Sequence, residues 1–335
     1  MTNSSQEKAP LLEVDGLAVD YGLKGVSLRA IDRVSFSLRA GEAVGLVGES
    51  GSGKTTTAMA IAGLLSPNAR VTEGEVRYRG ERLPIDDDAA MRPHRWSETS
   101  VVFQGAMNAL NPVHRIIKQI AEPCMLKLGM SRGEAAARAR ELLELVGIPA
   151  DRGTAYPHEL SGGMRQRVMI AMALACRPSI VIGDEPTTAL DVITQAQILK
   201  LLGELRSQLN LALILITHDL SVVAECCDRV MIMYAGRIVE DGTVAEIFAK
   251  PKHPYTRLLI DSIPNPASGK RIIRPIPGDP PNLMNRQSGC AFHPRCPSAM
   301  GVCATEVPSL DKFGRGRVAC HLHRSSQEDK VAAHA

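Results

Sequence analysis

Residues 43–56, Ala43-Val44-Gly45-Leu46-Val47-Gly48-Glu49-Ser50-Gly51-Ser52-Gly53-Lys54-Thr55-Thr56, decide the fold class. The first five read as a buried strand, the next eight fit the phosphate-loop pattern G-x-x-x-x-G-K-[ST], and an apolar helix opens behind them. Glycines let such a loop wrap a chain of phosphates, so that successive N–H groups and the helix N-terminus face the negative charge. Lys54 is then placed to reach the β- and γ-phosphates and Thr55 to ligate Mg²⁺. Gly48, Glu49, Ser50, Gly51, Ser52, Gly53 and Thr56 complete the expected nucleotide contacts.

Outward from this loop, residues about 11 to 245 alternate β-rich runs with helical patterns, the mark of an α/β domain with a largely parallel sheet. Ser100 to Phe103, Ile180 to Gly183 and Leu211 to Thr217 are short apolar runs, as expected for strands buried on both faces. Leu11 to Val19, Val34 to Leu38 and Gly74 to Arg79 alternate more and predict an antiparallel flank. From about 105 to 160 helical signals take over. Ser131 to Glu134 form a capping box, and the helix behind it should stop at Gly147 and Pro149, which marks a helical insert. Past about residue 250 prolines cluster from Pro251 to Pro281, and Cys290, Cys296, Cys303 and Cys320 follow. This predicts a separate, cysteine-rich C-terminal appendage over 251–325, with flexible polar ends at 1–10 and 326–335.

Two further stretches carry chemistry. Ile180 to Glu185 is an apolar strand ending in two carboxylates, the arrangement a metal-dependent NTPase needs opposite its phosphate loop. Asp184 is expected to hold Mg²⁺ through its water shell, and Glu185 to orient and deprotonate the attacking water. Leu160-Ser161-Gly162-Gly163-Met164-Arg165-Gln166 opens another helix, giving a second anion-binding N-terminus and a serine hydroxyl. One bound nucleotide does not need two such sites on one chain.

That last segment, from Ser161, Gly162 and Gly163 to Gln166, resembles the signature motif of ATP-binding-cassette (ABC) ATPases, and the rest of their set appears in order. Tyr21 sits where that family places an aromatic that stacks on adenine, and Gln104 ends a strand as its Q-loop glutamine does. Ala189-Leu190-Asp191 is similar to the D-loop, and His218 to the switch histidine. The resemblance implies a RecA-like P-loop NTPase core with an antiparallel β subdomain and a helical subdomain. It implies that Gln104 senses Mg²⁺ and water, and that His218 contacts the γ-phosphate. It also explains the second anion site: these ATPases dimerise head to tail, so that Ser161 serves the partner's ATP.

Tyr156 to Leu160, His253 to Thr256, Ile276 to Pro281 and Cys290 to Cys296 further resemble segments of the ATPase subunits of dipeptide/oligopeptide importers. The implied partners are two transmembrane permease subunits, a second ATPase subunit (a paralogue or the same chain) and an extracytoplasmic solute-binding protein. The implied place is the cytoplasmic face of the bacterial inner membrane. Nickel and other solutes share this architecture, so cargo stays open. A soluble cassette acting on ribosomes or DNA is the rival reading; a single cassette without a long coiled coil stands against it. Residues 106–111 and the helical insert are expected to dock on the permeases. The resemblance also implies a [4Fe–4S] cluster on Cys290, Cys296, Cys303 and Cys320. Spacing alone leaves zinc open, with His293, His321 and His323 as further candidate ligands. Two positions depart from the subfamily: Gly105 where Asp is common, and Gly183 where a larger apolar residue is usual.

Bulk composition agrees with these readings. The 335 residues, 44% hydrophobic, suffice for a full core, and 39 basic against 36 acidic residues leave no strong field for nucleic acid. Aromatics at 3% predict an aliphatic core and no base-stacking surface. No run approaches the roughly 18 to 20 apolar residues of a membrane span, and the polar start does not read as a secretory signal.

Overall fold

The computed structural model describes residues 9–23, 25–103, 105, 109–188, 190–262 and 276–323. Gln104, Ala189, residues 106–108 of the expected docking segment, residues 1–8 of the expected N-terminal flexible end and all of the expected C-terminal one, 326–335, lie outside them.

Two sheets carry the chain. β1 (Leu12–Leu23), β2 (Val26–Leu38), β4 (Ala69–Tyr78) and β5 (Glu81–Arg82) form a four-stranded antiparallel sheet in the order β2-β1-β4-β5. These strands run longer than the alternation predicts, because bulges at Leu17 and Val19 let β1 follow two partners through a twist. The second sheet has eight strands. Its parallel centre comprises β3 (Ala43–Val47), β6 (Thr99–Val102), β7 (Ile180–Asp184), β8 (Ala212–Thr217) and β9 (Arg229–Tyr234). β3, β7 and β8 are buried along their whole lengths, as their unbroken apolar runs require.

Helix α1 (Lys54–Ile61) follows β3 and packs between the two sheets, where Ala58, Ala60 and Ile61 meet Leu12, Leu17 and Ile31. On the other side of the parallel sheet lies a helical layer of α3 (Ile116–Leu128), α4 (Arg132–Leu145), α5 (Gly162–Ala173) and α6 (Val192–Leu209). α2 (Asp88–Met91) is a single turn beside β6. The predicted capping box is present: Ser131 Oγ accepts from the Glu134 N–H at 3.3 Å, and Glu134 Oε2 accepts from the Ser131 N–H at 2.8 Å.

The C-terminal part departs from the expectation of a separate appendage. β10 (Arg237–Thr243) turns back antiparallel on β9, and β12 (Gly316–Val318) and β11 (Asp311–Phe313) extend the same sheet beyond it. Short helices α7 (Leu220–Cys226), α8 (Val244–Ala249) and α9 (Pro254–Asp261) close this end. Tyr234, Tyr255 and Phe292 meet there with ring centroids 4.7 to 5.3 Å apart, each at most 1% exposed. Scarce in the chain as a whole, aromatics are concentrated at this joint, where large flat side chains bury much area per residue.

Candidate functional site

The site forms where three adjacent parallel strands end. In the order β3-β8-β7 the carboxyl ends of all three lie side by side, so the loops after them converge. The phosphate loop follows β3, Asp184 and Glu185 end β7, and His218 follows β8. Backbone space in the loop is tight: a Cβ on Gly48 would lie 2.2 Å from the Met233 carbonyl oxygen, and Gly53 opens α1 at φ +103°. Only glycine meets both demands.

Lys54 is buried and folds back on its loop, its Nζ donating to the carbonyl oxygens of Gly48 at 2.8 Å and Glu49 at 2.9 Å. Burial pushes its pKa down, opposed by the charges of Glu185, Asp184 and Glu49. Thr55 Oγ1 donates to Asp184 Oδ1 at 3.1 Å, which brings together the two hard oxygen donors expected for Mg²⁺. Burial raises the Asp184 carboxyl above its ordinary range, an effect the Thr55 bond opposes.

Glu185 stands at φ +46°, an uncommon backbone state for a non-glycine residue. Its Oε1 lies 3.0 Å from His218 Nδ1, and its Oε2 accepts from Thr188 Oγ1 at 2.9 Å. Burial pushes the carboxyl up, but the bonds from His218 and Thr188 outweigh it and hold Glu185 below its usual value. These two bonds favour the ionised carboxylate and fix its orientation. Tyr21 on β1 reaches the same region, its Oη 3.4 Å from Thr56 Oγ1 on α1.

The helix start expected to serve a second anion lies in the helical layer. Ser161 is exposed, caps α5 through an Oγ that accepts from the Met164 N–H at 3.3 Å, and belongs to the helical layer. Gly162 and Gly163 form the first turn; a Cβ on Gly163 would lie 2.6 Å from Thr194 Cγ2, so α5 and α6 approach closely there. Gln166 is buried with its Nε2 unpartnered. Asp191 caps α6, accepting from the Thr194 N–H at 2.9 Å and Thr194 Oγ1 at 2.7 Å. Gly183 has a local reason: an added Cβ would lie 3.2 Å from Pro186 Cγ and 3.4 Å from Leu215 Cδ1.

The profile of the ABC transporter family matches residues 31–188, and that of the oligopeptide/dipeptide transporter C-terminal region matches residues 239–303. The chain is 46% identical over 322 residues to the oligopeptide transport ATP-binding protein OppD of Salmonella typhimurium, covering 95% of this chain and 96% of that one. This chain belongs to the ABC transporter ATP-binding proteins. It is also 45% identical to the dipeptide transport ATP-binding protein DppD of Escherichia coli, over 93% of this cassette and 96% of that protein. Among solved structures, the dimeric structure of a bacterial ABC transporter cassette is 30% identical at TM-score 0.62, covering 70% of this chain and 98% of that one. A dimeric post-hydrolysis cassette bound to ADP and Pi matches equally.

Sequence reasoning on this cassette missed Thr188, which stands only three residues beyond Glu185 and was legible as a neighbour. It also missed Arg295 and Tyr255 as neighbours of the phosphate loop; sequence separations of 246 and 206 residues give no signal of contact.

At the C-terminal end, the Cys290 N–H donates to the Cys303 carbonyl oxygen at 2.8 Å, and Cys290, Cys296 and Cys320 are half-buried while Cys303 is buried. Burial pushes the thiols of Cys290, Cys296 and Cys320 up, Cys320 to about 11. Among the described residues no group of three or more His, Cys, Asp or Glu side chains is placed to hold a metal ion. The expected four-thiolate set is therefore not assembled around a single ion.

Proposed function

We propose that this cassette binds MgATP at residues 48–56 and hydrolyses it, energising the import of di- or oligopeptides through separate membrane permease subunits. The observation that carries the reading is the convergence of Lys54, Thr55, Asp184, Glu185 and His218 at the ends of three neighbouring strands. Lys54 exchanges its bonds to the Gly48 and Glu49 carbonyls for the β- and γ-phosphates. Thr55 and Asp184 hold Mg²⁺, which when bound offsets charge on the phosphates. Glu185, oriented by Thr188 and His218, takes the proton of the attacking water, and His218 is assigned the γ-phosphate contact through the family resemblance. Gln104 is assigned a sensor role through the family resemblance alone. Tyr21 stacks on adenine.

Ser161, Gly162, Gly163 and Gln166 in this reading face the nucleotide of a partner ATPase, with Asp191 beside the shared interface. The γ-phosphate then bonds both halves, and hydrolysis removes those bonds. None of the described helices is long and apolar enough to cross a membrane. In this reading the path for solute lies in permease subunits, with delivery by a solute-binding protein outside. Purification of the tagged cassette from its native membranes tests this: permease subunits should co-purify, and peptide with its binding protein should raise ATP turnover. Isolation free of membrane subunits would overturn the assignment.

For Cys290, Cys296, Cys303 and Cys320 we propose a [4Fe–4S] site that staples the C-terminal segment. In support, the Cys290 N–H donates to the Cys303 carbonyl oxygen at 2.8 Å, which ties two of the four cysteines together, and Cys303 is buried. Zinc is the alternative occupant, with His293, His321 and His323 as further candidate ligands. Anaerobic preparations should be brown with about four irons per chain. Stoichiometric zinc without iron would overturn the cluster.

A further inference from the structure

Glu49 is an acidic residue inside a loop that receives phosphate, so its charge needs an explanation. Its carboxylate is gripped by Arg295 from the C-terminal segment through two bonds, Nη1 to Oε2 at 2.7 Å and Nη2 to Oε1 at 3.0 Å. The arginine side chain is only 6% exposed. Its Nε donates to the Pro277 carbonyl oxygen at 2.8 Å, and its Nη1 also lies 3.2 Å from Tyr234 Oη. The Glu49 N–H in turn donates to Tyr255 Oη at 2.9 Å, and Tyr255 is fully buried. The C-terminal half thus holds one phosphate-loop residue by both its side chain and its backbone. Through the bond from Lys54 Nζ to the Glu49 carbonyl, the same residue touches the lysine of the loop.

We propose that Arg295 is a positioning residue of the ATP site, acting by neutralising and fixing Glu49. This rests on the reading of residues 48–56 as that site. An unpaired carboxylate here repels the phosphates and competes for Lys54, whereas a bidentate, buried arginine cancels the charge and fixes its direction. Arg295 lies in the Cys290–Cys296 turn, which is closed by bonds from the His293 N–H to the Cys290 carbonyl at 2.9 Å and the Cys296 N–H to the His293 carbonyl at 3.2 Å. A disturbance of that turn is therefore transmitted to the phosphate loop through one ion pair.

The competing view is that the pair merely fastens the C-terminal segment. MgADP titration calorimetry on the full-length chain, with thermal unfolding alongside, separates the two. Arg295→Ala should weaken MgADP binding about tenfold, the effect of one uncompensated charge near the phosphates at protein-surface dielectric. The double variant E49Q/R295A should regain most of the loss, a non-additivity that fastening does not produce, with Glu49→Gln measured alone, whatever its own affinity, to close the cycle. Where Arg295→Ala does not fold, Arg295→Met keeps the buried stem packed and takes its place. A folded Arg295 variant with unchanged affinity, or a double variant as weak as the single, overturns the proposal. Lys54→Ala serves as the control: its binding like the parent would instead overturn the assignment of the site itself.

Discussion

At the scale of single residues the site depends on how Glu185 is held. Its φ of +46° is tolerated because Thr188, His218 and the β8 carbonyl of Ile216, which accepts the Glu185 N–H at 2.9 Å, fix it from several sides. Glu185→Gln preserves that shape and removes the base. ATP affinity should therefore stay within about threefold while turnover falls at least about a hundredfold in a complex altered at both ATP sites. Single-turnover hydrolysis measures the fall. Tyr21 predicts the opposite kinetic split. Stacking on adenine is the same in ground and transition states, so Tyr21→Ala should raise KM for ATP about five- to tenfold and leave kcat nearly unchanged. A drop in kcat with KM constant would remove Tyr21 from the adenine site.

At the scale of elements, α9 packs with Tyr234 of β9 and Phe292 of the C-terminal segment in one buried cluster. Its N-cap is His253, whose Nδ1 accepts from the Tyr255 N–H at 3.1 Å. Complete burial, with a smaller effect of His323, lowers this histidine to about 3. The unfolded chain, with an ordinary value near 6.5, binds a proton between those limits that the folded chain refuses. Stability from neutral His253 is thus fully present above about pH 6.5 and is lost as pH falls, by about 2 kcal/mol at pH 5. Asparagine caps a helix without titrating. The unfolding midpoint of His253→Asn should accordingly depend less steeply on pH from 6.5 to 5, whatever its stability at neutral pH. The nearby Glu240 carboxyl, raised by burial, contributes to both proteins and cancels in the comparison. Equal slopes in urea titrations would show that His253 titrates normally.

At the scale of the whole molecule, Ser161 makes its known bonds within its own helix and remains exposed, and Val192 and Ile193 at the start of α6 are 84% and 73% exposed. A site that serves a partner's nucleotide makes a specific demand on mutants. Ser161→Arg should leave MgATP affinity of the single chain unchanged within about twofold, yet prevent the ATP-dependent dimer that Glu185→Gln accumulates. Size-exclusion chromatography of the E185Q and S161R/E185Q proteins in MgATP distinguishes them. A dimer of equal stability in both would place Ser161 outside the interface.

Much of the geometry of the proposed ATP site was legible in the sequence because its pattern is local. A phosphate loop needs glycines, lysine and a hydroxyl within eight residues, and a buried parallel strand needs an unbroken apolar run; residues 43–56 and 180–185 state both directly. The capping box at Ser131 and the helical layer were readable for the same reason, since helix ends are written in neighbouring residues. Only the tertiary structure placed β7 and β8 beside β3, through strand order, and only it turned the C-terminal segment from an appendage into part of the main sheet. The Arg295–Glu49 pair belongs to that second class. An ion pair spanning 246 residues leaves no periodicity or spacing to read, because it exists only where folding brings two distant loops within hydrogen-bond reach.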